Sequence, residues 1–220
     1  MIAAPGQRRP RAHDHRRSPP APRLRFPRRR EDPHLLGLPL VVRPAEVDES
    51  VLPGEAPLDY LARVTELKLG AALAIAHGVH AAAILVADTT VILDGRSLGK
   101  PADEAEARAM IGALAGRAHE VATRFALAGV GDDARVHHAE TVLTSVFFRP
   151  LSGDEIAAYA ASGEGLDKAG AYAIQGLGAF AVSRIEGSYS NVVGLPACEV
   201  IAALRATGLL GVFPLPRKAA

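Results

Sequence analysis

The chain has 220 residues, 49% of them hydrophobic, with one cysteine, no tryptophan and a formal net charge of +1. That length suffices for one substantial core, or two small lobes sharing a cleft, and with few aromatic residues the packing must be mainly aliphatic. Apolar runs break well short of the ~20 residues of a membrane span, so no membrane insertion is expected. Cys198 on its own forms neither an internal disulfide nor a cysteine-only metal site, which fits a cytoplasmic location.

The charge is unevenly spread. Residues 1–30 carry ten Arg and one Asp, a balance of +9, whereas the other 190 carry 15 basic and 23 acidic side chains, a balance of −8. Six of the 16 prolines fall in the basic segment, which holds almost no bulky apolar residue. Such a segment cannot bury enough surface to offset its ordering entropy. It reads as a disordered or wrongly assigned start, or as an arm for nucleic acid or acidic surfaces. It has neither the apolar stretch of a secretory signal nor the stacking residues of a nucleic-acid binder, so nucleic acid is not an expected partner.

From His34 the composition is globular. Residues 35–38 suggest the end of a short helix with Gly37 near its C-cap, and residues 40–42 a strand leading to Asp48 and Glu49. Pro57 opens a helix to about His77, with Leu58, Leu61, Val64, Leu67, Leu69 and Ala72 at helical spacing and Lys68 in its middle. Residues 83–86 form an apolar run that ends at Asp88; a β-branched stretch, Thr89 to Ile92, turns at Asp94-Gly95 towards Gly99-Lys100-Pro101. Residues 102–114 read as a helix with acids in its early turns. Residues 119–127 and 141–148 read as an antiparallel hairpin, and residues 152–161 as a helix. A glycine-rich stretch, 163–178, precedes a strand at 180–182 and a last helix that follows Pro196 and runs to about Arg205. This mixture argues α/β or α+β with a partly antiparallel sheet.

A buried strand that delivers a carboxylate at its end, with a lysine returned by a tight turn, suits metal-assisted chemistry on phosphates. Asp88 is either a turn or cap aspartate, or the group that holds Mg²⁺ or takes a proton from an attacking water. Asp48 and Glu49 are either solvated surface or a second acidic point. Lys68 alone would be a surface lysine; Lys100 could offer a point charge to phosphate. The glycines of 163–178 would allow close approach to a ligand, and Gln175 could read a base edge. His119, His137 and His138 lack a metal-binding spacing and read as surface or hairpin residues. Cys198 reads as a core residue of an apolar helix.

Taken together and in order, the blocks resemble the Maf family of nucleoside triphosphate pyrophosphatases. They are Leu36-Gly-Leu-Pro, Val47-Asp-Glu, Ala87-Asp-Thr with Gly99-Lys-Pro, and Gly116-Arg-Ala-His-Glu-Val. Two longer ones follow, Gly163-Glu-Gly-Leu-Asp-Lys-Ala-Gly-Ala-Tyr-Ala-Ile-Gln-Gly and Ile185-Glu-Gly-Ser-Tyr-Ser-Asn-Val-Val-Gly-Leu-Pro. The resemblance implies an elongated α/β fold with a mixed sheet, related to the inosine triphosphate pyrophosphatases, with two lobes around a nucleotide cleft. It implies cleavage of a nucleoside triphosphate between the α and β phosphates, with a divalent metal, Mg²⁺ or Mn²⁺. Asp88 would accept the proton of water and share the metal with Glu49; Lys68 and Lys100 would neutralise the triphosphate. Thr89 and Gln175 fall at positions of substrate choice, and the Lys168-to-Gln175 block resembles the dTTP/UTP branch. The alternatives are a 7-methyl-GTP-type pyrophosphatase and a catalytically impaired nucleotide-binding regulator of cell division. A homodimer is left open.

The family opens with Ser-x-Ser-Pro-Arg-Arg, where this chain has Leu24-Arg25-Phe26-Pro27-Arg28-Arg29. Arg28 and Arg29 therefore keep the substrate-binding arginine positions while both hydroxyls are lost, which would impair the phosphate loop. The expected organisation is an atypical segment over 1–33, read as a shifted frame or misplaced start, a Maf-like domain over 34–210, and a tail over 211–220.

Overall fold

A computed structural model describes residues 38, 43–44, 46–76 and 81–214. The expectations placed on Arg28 and Arg29, on residues 35–37 and on residues 40–42 lie outside the described residues.

The first described helix, α1 (Pro57–Ala74), starts at a proline, whose fixed φ and missing N–H suit a first helical turn. It turns Leu61, Val64, Thr65, Lys68 and Leu69 inward. Leu58 and Leu67, which share the helical apolar spacing, lie on the solvent side. Strand β1 (Ile84–Leu93) then runs into β2 (Arg96–Leu98) through Asp94-Gly95, both with positive φ, 51° and 74°. That is the two-residue turn whose twist matches antiparallel strands, and Asp-Gly is a favoured sequence for it.

Helix α2 (Glu104–Leu114) is capped by Asp103, whose side chain accepts from the Glu106 amide, so Asp103 is the cap rather than part of the first turn. Strands β3 (Ala118–Ala128) and β4 (Val136–Phe148) form the long hairpin; β4 starts five residues earlier than read, beyond a short 3₁₀ turn at Gly131–Asp133. Helix α3 (Gly153–Ala161) begins at a reciprocal capping box of Ser152 and Glu155. After 3₁₀ turns at Ala169–Ala171 and Leu177–Ala181 comes β5 (Val182–Glu186), so Phe180 and Ala181 precede the strand instead of forming it. The last part is two helices, α4 (Tyr189–Val193) and α5 (Ala197–Ala206), separated at Gly194 with φ 128°. Cys198 lies on the exposed side of α5, not in the core, because Val200 and Ala203 take the buried face.

The class is α/β. The sheet has the order β2-β1-β3-β4-β5, and every pairing among the described residues is antiparallel, where a mixed sheet was expected. Period-two alternation splits each strand between two faces. Helix α1 covers one face: Leu61 packs with Ile92 and Ala122, and Leu69 with Ala126 and Ala128. The larger core fills the other face, where Val91, Val121 and Val146 meet Ile111 and Leu114 of α2 and Tyr159 of α3. Phe125 and Leu127 pack there against Val200 and Ala203 of α5. No described helix is long and apolar enough to cross a membrane.

Candidate active site

Asp88 is in the middle of β1, not at a strand end, because Thr89 to Ile92 continue the ladder with β3. Its side chain emerges on the face that α1 covers. Tyr60, Val64 and Lys68 recur at four-residue spacing on that helix, and Lys68 reaches down to the sheet. Its Nζ donates to Asp88 Oδ1 at 2.5 Å and lies 2.6 Å from Glu49 Oε1. Lys100 Nζ, from the stretch after β2, donates to the other oxygen of Glu49, Oε2, at 2.8 Å. Four of the expected residues, far apart in the chain, thus form one line of alternating charge, Asp88–Lys68–Glu49–Lys100.

Burial falls along that line. Asp88 is 4% exposed and Lys68 6%, Glu49 is half-buried, and Lys100 stands in solvent. A buried carboxylate and ammonium are tolerated only as partners. Burial opposes the charge of Glu49, but hydrogen bonds from Lys100 and Lys68 outweigh it and hold its pKa down to about 2. Glu49 is therefore a carboxylate at any neutral pH.

Thr89 follows Asp88 by one residue and faces the other side of the sheet. Its hydroxyl is 2.9 Å from that of Thr123, which donates in turn to the Asn191 carbonyl. Gln175 is exposed and joins no described contact of the carboxylate–lysine line. The glycines of 163–178 approach the protein's own chain: a Cβ on Gly165 would lie 1.8 Å from the Ala171 carbonyl oxygen, and one on Gly176 1.9 Å from Glu164 Oε1. The Glu164 carboxylate accepts from the Tyr159 hydroxyl and from the Leu177 and Gly178 amides, so the stretch is folded around it.

Several residues at the site escaped the sequence reading. Tyr60 is half-buried on α1, and burial, then the charges of Asp88 and Glu49, push its hydroxyl up to about 12. Arg124 stands directly across from Asp88 on β3, hence on the same face, and donates through Nη1 to Thr141 Oγ1 at 3.0 Å. Its buried Nε has no hydrogen-bond partner among the described residues. Arg63 and Glu55 form a fork that fixes the loop bearing Glu49. The helical spacing from Tyr60 to Lys68 was a usable signal; the cross-strand register that brings in Arg124 was not visible before the strands were paired.

His119 is 3% exposed and belongs to the core, not the surface, with Nε2 2.8 Å from the Tyr172 hydroxyl. Among the described residues no group of three or more His, Cys, Asp or Glu could hold a metal ion. Carboxylates completed by further oxygens and water are nonetheless donors that Mg²⁺ uses, and Glu49 and Asp88 supply two of that chemical kind on either side of Lys68.

The fold and these paired charges define an α/β protein with a buried carboxylate–lysine centre beneath one helix. The chain belongs to the Maf-like protein family, whose model matches residues 26–207, a range that takes in Arg28 and Arg29. It is similar to a dTTP/UTP pyrophosphatase of Anaeromyxobacter dehalogenans (strain 2CP-C), 48% identical over 200 residues, covering 89% of this chain and 97% of that protein. A dTTP/UTP pyrophosphatase of Citrifermentans bemidjiense is 47% identical over 185 residues, 84% of this chain and 93% of its own. One from Myxococcus xanthus is 48% identical over 195 residues, 88% and 92% respectively.

Proposed function

We propose that the chain is a metal-dependent nucleoside triphosphate pyrophosphatase acting on dTTP and UTP, cutting between the α and β phosphates. The observation that carries this reading is the single ammonium of Lys68 held between Asp88 and Glu49, with Lys100 at the rim. The names of the relatives supply the substrates.

In this reading Asp88 Oδ1 or Oδ2 takes the proton of a water whose oxygen bonds to the α phosphorus. The α–β anhydride bond breaks, and its electron pair leaves with pyrophosphate. Lys68 and Lys100 turn from the carboxylates to the phosphate oxygens and stabilise the charge that develops there, an effect strengthened by the partly dry site. Glu49 and Asp88 would hold a divalent cation, Mg²⁺ or Mn²⁺, which when bound supplies further neutralisation and polarises the phosphate. Arg28 and Arg29 would add charge from the segment before the described residues. Thr89 and Gln175 are proposed for base choice, outside the carboxylate–lysine line. The catalytic unit is residues 34–210, working in the cytoplasm on excess or non-standard nucleotides.

Pyrophosphate release from a nucleotide panel with Mg²⁺ or Mn²⁺ tests this. Asp88→Asn is expected to cut turnover of dTTP and UTP by roughly 10²-fold or more, the loss typical of a general base. Equal background rates in both proteins would remove the enzymatic reading and leave a nucleotide-binding regulator. A preference for 7-methyl-GTP would overturn the substrate assignment.

A further inference from the structure

Glu49 faces two lysines from a stretch, residues 46–56, that has no helix or strand of its own. A side chain on such a stretch holds one position only if the backbone is tied down nearby. Here it is tied down on both sides of Glu49. Asp48 Oδ1 accepts from the Ser50 amide at 2.9 Å, and Glu55 Oε2 accepts from the Leu52 amide at 3.1 Å. The element that joins these ties to the rigid part of the fold is Arg63, on α1 between Tyr60 and Lys68. Its Nε donates to Glu55 Oε1 at 2.6 Å, and its Nη2 donates both to Glu55 Oε2 and to the Ser50 carbonyl, each at 2.8 Å. One guanidinium therefore clamps the residue next to Glu49 and the end of its loop to the helix that carries Lys68. The fork holds Glu55 down to about 2, so the clamp keeps its charge throughout the neutral range.

We infer that Arg63, with Glu55, is the positioning residue for Glu49: it sets the carboxylate that receives the metal, without touching metal or substrate itself. This rests on the reading of Glu49 as a metal-holding residue. An ammonium cannot replace the guanidinium, because the two Glu55 oxygens and the Ser50 carbonyl are met by a planar fork.

The test is Mn²⁺ binding followed by electron paramagnetic resonance in the presence of α,β-imido-UTP, which the protein cannot cleave at the α–β position, alongside steady-state turnover of UTP. Arg63→Ala is expected to raise the Mn²⁺ concentration for half-saturation about 10-fold, within the range for partners that orient metal ligands. Arg63→Lys is expected to do nearly the same and Glu55→Gln to fall between. In turnover the metal requirement rises while kcat at saturating Mn²⁺ stays near the wild-type value. Arg149→Ala is the control, since Arg149 makes the same kind of fork on Glu155, its Nη2 2.6 Å from Oε1, outside the carboxylate–lysine line. It is expected to lower stability without moving the Mn²⁺ requirement. The inference is overturned if folded Arg63→Ala binds Mn²⁺ within twofold of wild type, or if Arg149→Ala shifts binding as far. A wild type that binds Mn²⁺ and the analogue yet hydrolyses no nucleotide removes the proposed enzymatic function and leaves the positioning role standing; one that binds no Mn²⁺ removes both.

Discussion

Lys68 carries one positive charge between two carboxylates, and its side chain and that of Asp88 are almost fully excluded from solvent. Removing the ammonium takes a partner from a buried anion, which is more costly than the loss of an exposed ion pair. Lys68→Met is expected to lower stability by about 3 kcal/mol, read from urea unfolding, and to abolish turnover. Adding Asp88→Asn to Lys68→Met is expected to restore most of that stability and none of the activity. A double variant as unstable as the single one would show that the pair is not what the helix and sheet share. The acids and lysines of this line were visible in the sequence as residue types, but their burial was not. Lys68 reads as a surface lysine by residue type alone, although it recurs with Leu61 and Val64 on the buried face of α1; what the spacing does not show is the carboxylate of β1 beneath it.

The 163–178 stretch shows at the level of an element what local signals can mislead about. Its glycines were read as freedom to approach a ligand, whereas they let the chain fold back on itself around Glu164. Gly165→Ala is expected to lower the melting temperature by several degrees or prevent folding, since its Cβ would overlap the Ala171 carbonyl, a backbone atom with nowhere to move. Gly99→Ala, where a Cβ meets nothing within 4 Å, is expected to leave the melting temperature nearly unchanged. Elements with a strong local cause were legible in advance: the proline start of α1, the Asp94-Gly95 turn and the Ser152–Glu155 box all lie where their chemistry puts them. What depended on pairing was not. The five extra residues of β4 and the Asp88–Arg124 register follow from the sheet as a whole.

Across the whole molecule, α1 and the site occupy one face of the sheet while the main core fills the other, and His119 belongs to that core. Its ring stands edge-on to Phe148 and Tyr172, with centroids 5.0 Å and 5.4 Å away, and its Nδ1 is buried with no hydrogen-bond partner among the described residues. Burial lowers its pKa from 6.5 to about 4, so the folded protein holds the ring neutral over a range in which the unfolded chain would protonate it. The unfolded chain then binds more protons, and stability must fall as the pH drops through that window. The contribution is complete above about pH 6.5 and is lost on descent to about pH 4, amounting at most to about 3 kcal/mol. Glu49 adds a loss of its own at the lower end of this window, because the unfolded carboxyl protonates near 4.5 while the folded one stays ionised to about 2, but that loss is common to the wild type and to a His119 variant. Urea unfolding midpoints measured from pH 7 to pH 4.5 for the wild type and for His119→Phe separate the contributions. The wild type is expected to lose stability more steeply than the variant, whose ring cannot titrate; parallel profiles would mean that His119 is protonated in the folded core.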